Sequence, residues 1–149
     1  QTPIENQTIE GFSEKVINTL INKDKEAFSK YMLTKDIAVE LFKSLSLDWE
    51  KELERTRIPR NEQIASWFDR IVSQALEDGV ELQNISYYGV ERYEKEITKT
   101  GIEVVAISVM ILYNDSIYYI KLDDCVRGAS GKFYMSDDPG WRGSNPPIL

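Results

Sequence analysis

The sequence predicts an α+β domain in which amphipathic helices come first and an antiparallel sheet follows. Apolar residues recur at helical spacing from Phe12 to Leu76, and beyond Gly79 the rhythm changes to the two-residue alternation of strands. The links between successive predicted strands are short, which makes the sheet an antiparallel meander. At 149 residues one hydrophobic core is efficient, and dividing it would starve both halves of burial. Residues 1–149 are therefore read as a single domain, with residues 1–7 a short polar tether.

Phe12, Val16, Ile17, Leu20 and Ile21 form the stripe of the first helix. Asp24 is placed to cap a second, with Ala27, Phe28, Tyr31 and Met32 as its apolar residues. Thr34 caps a third, from Lys35 to about Leu45. The charged stretch from Leu47 to Arg57 forms a fourth, whose stripe is Trp49 and Leu53. Pro59 breaks the chain, Asn61 is the expected N-cap of the long fifth helix, and Ile64, Trp67, Phe68, Ile71, Val72, Ala75 and Leu76 repeat until Gly79 ends it.

Four strands follow: Leu82 to about Ile97, Ile102 to Tyr113, Ile117 to Val126, and Lys132 to Ser136. Gly89 inside the first marks a bulge or bend. The tail, residues 137–149, carries Pro139, Gly140, Pro146 and Pro147 and is expected to be irregular, pinned by Trp141. The second strand is apolar on both faces, Val105, Ile107, Val109 and Ile111 on one and Val104, Ala106, Met110 and Leu112 on the other. Helices cover one face; the other also needs a cover, from the remaining helices, a bent sheet or a second copy of the chain. We expect a homodimer through that outer face.

A net charge of −7, from 25 acidic against 18 basic residues, repels phosphate backbones, so nucleic acid is not an expected partner. The lone Cys125 excludes an intrachain disulfide and reads as a buried, inert thiol. There is no His, which removes Ser-His-Asp, Cys-His and His-zinc chemistry together. No apolar run is long enough to span a bilayer. The chain opens at Gln1 without Met, and from this we expect a removed leader and export by a bacterium, to periplasm or medium.

Two phrases give the helices-then-meander order a family likeness. Leu20-Ile21-Asn22-Lys23-Asp24-Lys25-Glu26-Ala27-Phe28 resembles the place where the NTF2-like superfamily ends its first helix and caps its second with Asp. Gly131-Lys132-Phe133-Tyr134-Met135 is similar to that family's closing strand. The resemblance, to the cone also described as SnoaL-like, ketosteroid-isomerase-like or cystatin-like, implies a strongly bent sheet whose concave face and helices enclose a cavity. It implies no reaction, since the fold hosts isomerases, dehydratases and plain binders. No family catalytic motif is matched here.

Seven of the eight tyrosines fall in the sheet half, where a phenol serves a strand as an ordinary β-former or a pocket as an amphipathic wall. The candidate cavity residues are Trp67, Tyr87, Glu91 and Tyr93. No catalytic residue, cofactor or metal ligand is assigned. Adjacent residues on a strand point to opposite faces, so Asp123 and Asp124 are not expected to share a proton unless the strand has ended, and Asp137-Asp138-Pro139-Gly140 reads as a turn. The leading expectation is a non-catalytic domain binding a small apolar or amphipathic ligand, or a partner protein, in a helix-sheet cleft. The alternatives are an isomerase or dehydratase using a pocket carboxylate and a tyrosine, and an assembly module with a filled core.

Overall fold

A computed structural model describes residues 8–149; the predicted tether, residues 1–7, lies outside them. Five helices precede a five-stranded antiparallel sheet. Helix α1 (Ile9–Ile21) is capped by Thr8, α2 (Lys25–Ser29) by Asp24, α3 (Lys35–Ser44) by Thr34 and α4 (Trp49–Arg55) by Asp48. In each case a side-chain oxygen accepts from a backbone N–H of the first turn, satisfying a donor that the helix leaves free. The long helix α5 (Asn61–Glu77) departs from expectation at its start. Arg60, extended after Pro59, is the N-cap, and its backbone N–H donates to Gln63 Oε1 at 3.0 Å, so Asn61 is already inside the helix. Gly79, at φ +76, ends α5 in the left-handed region as expected. No helix among the described residues is long and apolar enough to cross a membrane.

The strands are β1 (Ser86–Ile97), β2 (Glu103–Tyr113), β3 (Ser116–Arg127), β4 (Phe133–Met135) and β5 (Gly140–Gly143). The order β1-β2-β3-β4 is the expected meander. Asn114 and Asp115, both at positive φ, make the two-residue turn between β2 and β3 that matches strand twist. Two boundaries are corrected. The segment Leu82–Asn84 is a single 3-10 turn, because Leu82 and Ile85 both bury their side chains three residues apart, and β1 starts only at Ser86. The tail is not wholly irregular: it returns as β5 and pairs with β3 from Tyr119 to Lys121, because Trp141 buries against Ile120.

Strand β3 thus has two partners on one edge, β5 at Tyr119–Lys121 and β4 at Cys125–Arg127, with a gap between them. The gap coincides with a bulge. Val105 faces Cys125 while Ile107 faces Leu122, so Asp123 and Asp124 together oppose Ala106, and Asp124 takes φ +47. Strand β1 carries two more bulges, at Tyr88 beside Gly89 and at Glu91.

The inner face of the sheet and helices α1, α2 and α5 enclose the main core. Val105, Ile107, Val109 and Ile111 of β2 are fully buried there with Phe12, Phe28 and Phe133. Phe12 and Phe133 pack at 5.8 Å between ring centroids, and Phe28 meets Phe68 edge-on at 5.2 Å. Cys125 is buried in the same core. On the outer face Val104, Ala106, Met110 and Leu112 of β2 are half-buried, and the chain covers that face only in part. Helices α3 and α4 build a second cluster on Leu33, Ala38 and Phe42, with Trp49, Leu53, Ile102 and Tyr134 packed around it. Arg92, opposite Ser108 on that face, donates to the Pro147 carbonyl at 3.0 Å, so the last residues of the chain cross it.

Candidate functional site

On α5, Ile64, Phe68, Ile71 and Ala75 take the buried stripe. Gln74, Glu77 and Asp78, at i, i+3 and i+4, share another face at the helix end. Strand β5 runs past this end because Trp141 fills the inner face of the sheet, where its ring stacks on Tyr118 with centroids 5.6 Å apart and planes 23° from parallel. Trp141 Nε1 donates to Asp78 Oδ2 at 2.7 Å, which fixes the indole in its plane. Gly143 follows at φ +62, and a β-carbon there would stand 3.0 Å from the same Asp78 oxygen. Glycine is therefore what allows carboxylate, indole and turn to meet.

These groups surround an open cleft of about 650 Å³ at the rim of the helix-sheet junction. Its lining is mainly polar, from Gln74, Glu77, Asp78, Arg142, Ser144 and Asn145, with half-buried Tyr118 as its aromatic side and the buried Trp141 behind it. Donors, acceptors and both signs of charge stand beside one aromatic ring. That arrangement holds a small molecule by one face and orients it by its edge groups.

The four residues singled out from sequence do not line this cleft. Trp67 is partly buried against the main core from α5. Tyr87 and Tyr93, opposite Ile111 and Ile107, lie on the inner face, but Tyr93 is 52% exposed. Glu91 is the extra residue of a bulge, 3.7 Å from Arg92 Nε. The Tyr87 hydroxyl donates to Glu10 on α1, and burial first, then that carboxylate, push its pKa well above the usual phenol value. Its proton is held by Glu10 and is a poor one to lend to a substrate.

The bulge in β3 overturns the expectation that Asp123 and Asp124 point apart. With Asp124 in the left-handed region, their carboxylate oxygens and one of Asp137 all lie within 4.8 Å of one another. Burial raises the Asp124 pKa, and Asp123 and Asp137 raise it further. Lys121 approaches Asp123 at 3.6 Å. Of the described residues these three are the ones with oxygen ligands clustered as a hard divalent cation would need. Asp137 reaches the group through the bend before β5, where Asp138 pairs with Arg70 of α5 and Ser136 bonds the Asp124 carbonyl.

The signal for the cleft was partial. An aromatic residue in a tail of Gly, Pro and polar residues marks a burial point, and Trp141 was read that way. Nothing in the spacing of Gln74, Glu77 and Asp78 says what faces them, because Tyr118 and the β5 side of the cleft lie 40 or more residues further along the chain. No protein-family model, curated protein or solved structure matches this chain, so the comparisons identify neither the NTF2-like superfamily nor any other.

Proposed function

We propose that the protein is a non-catalytic binding domain whose cleft takes a small amphipathic ligand, a hydroxylated ring with one flat apolar face. The observation that carries this reading is half-buried Tyr118 among the polar groups of the cleft, held in place by the buried Trp141 indole that Asp78 anchors. Tyr118 is the aromatic surface left to a ring, while Arg142, Asn145 and Glu77 stand where they can bond its edge groups. The site lies at the helix-sheet junction, and the order of helices and antiparallel strands agrees with an NTF2-like cone, which is the architecture we assign to the chain on the strength of its two sequence phrases.

The test is a thermal-stabilisation screen of monosaccharides and related polyhydroxylated rings on the wild type and on Arg142→Ala. Arg142 is an exposed β5 residue, so its truncation leaves the fold in place. A true ligand at about 100 times its Kd adds about 2.7 kcal/mol of stability to the wild type, and that gain shrinks in the variant. Rings that stabilise both proteins equally, or none that stabilises either, would end the proposal.

A further inference from the structure

Strand β1 is the outer strand of the meander, and among the described residues no strand pairs with its free edge. From Glu91 to Ile97 every residue is exposed, and Tyr88, Tyr93 and Ile97 are three of the five large apolar side chains that the surface shows. A long free edge with exposed aromatics is a template for another strand. Charges on such an edge ordinarily keep sheets apart, so the order of the charges decides what the edge can meet.

We infer that this edge pairs with the same edge of a second copy, antiparallel and centred on Tyr93, to give a sheet continuous across two protomers. Residues directly opposed in an antiparallel pair share a face, so a two-fold pairing must place some residue opposite itself. Centred on Arg92 it sets Arg92 against Arg92; centred on Glu94 it sets Glu94 against Glu94; centred on Lys95 it sets Lys95 against itself and Glu94 against Glu96. Centred on Tyr93 it sets Arg92 opposite Glu94 twice and lays the two Tyr93 rings side by side.

The backbone supports this choice. Arg92 to Ile97 pair with Ser108 to Glu103 without interruption, so the segment around Tyr93 is regular strand, while both bulges of β1 fall before it. Arg92 and Glu94 already approach each other along one strand, at 3.4 Å, and both remain substantially exposed. A second copy would turn this single contact into a closed set of alternating charges. The second copy is assigned to the edge because its charge order complements itself there; on the outer face the tail already reaches Arg92 through the Pro147 carbonyl.

The test is sedimentation equilibrium of the full chain over micromolar to millimolar concentration, at low and high salt, with helicity and melting checked for every variant. The wild type should dimerise, more weakly at high salt. Glu94→Arg turns two attractions into two repulsions and should weaken the dimer about tenfold. Arg92→Glu should do the same alone, yet an equimolar mixture of the two variants should associate, because each then meets its complement. If Arg92→Glu fails to fold for want of its Pro147 contact, Glu94→Gln takes its place: it removes both attractions without adding repulsion and should weaken the dimer less than Glu94→Arg, and equal weakening would overturn the inference. A wild type that stays monomeric, a dimer indifferent to Glu94→Arg, or variants that fail to recover on mixing would each overturn the inference.

Discussion

Replacing Gly143 by Ala tests the construction of the cleft at its tightest point. A β-carbon at φ +62 costs about 1 kcal/mol in the left-handed region, where Gly has no penalty. It would also stand 3.0 Å from Asp78 Oδ2, an oxygen that cannot retreat freely because it is bonded to Trp141 Nε1 at 2.7 Å. Pushing the carboxylate aside weakens a charge-assisted hydrogen bond; with Asp78 exposed, we assign that loss about 1 kcal/mol. The sum, about 2 kcal/mol, corresponds to a fall of about 6 °C in melting temperature for a chain of this length. Calorimetry of wild type, Gly143→Ala, Asp78→Ala and the double variant separates the two parts. Once Asp78 is gone only the backbone cost of Gly143→Ala should remain, so the two substitutions should couple by about 1 kcal/mol. Additive effects, or a Gly143→Ala melt within about 1 °C of wild type, would refute the claim that the carboxylate is wedged between turn and indole.

Asp124→Asn should stabilise the protein in a pH-dependent way. The folded state holds the Asp124 proton more tightly than the unfolded chain does, so the wild type loses stability as pH rises from the ordinary carboxylate pKa to the raised one, and the loss then stays constant. Urea unfolding on both sides of that window should show the variant's advantage opening as pH rises; an advantage equal at all pH values would contradict the cluster. Phe133→Ala removes a fully buried ring that packs on Phe12 and carries the Arg127 guanidinium 4.3 Å from its centroid, and should cost about 3–5 kcal/mol by denaturant titration. Ser108→Ala deletes a buried hydroxyl with no hydrogen-bond partner among the described residues and should be neutral or stabilising by up to about 1 kcal/mol; a clear loss would mean the hydroxyl is bonded in solution. The Cys125 thiol, fully buried with its pKa pushed up by that burial, should react with a disulfide reagent only as fast as the protein opens, and labelling at the rate of a free thiol would place it elsewhere.

What could be read from the sequence and what could not divide along one physical line, the distance over which a residue's partner is found. Caps and stripes are local. Asp24 and Thr34 bond N–H groups three residues away, and the stripe of α5 meets its own periodicity, so these elements were legible. The bulge at Asp123 and Asp124 was not, because alternation along a strand is a rule about the strand alone, and the break in it is set by what happens on the neighbouring edge. There β4 leaves β3, β5 has not yet joined it, and Asp124 turns to bond Ser136 through its carbonyl across the gap. The same reasoning covers both faces of β2. The sequence showed that the outer face needed a cover, and a second copy was one of three candidates. Nothing local in Pro147 says that it lies against Arg92, and nothing local in α3 and α4 says that their cluster meets the sheet at Tyr134. The free edge of β1, by contrast, is read by the order of its charges. That order is local again: Arg92, Tyr93 and Glu94 carry their complementarity in three consecutive letters, so the register of the proposed association is written in the sequence while its place is not.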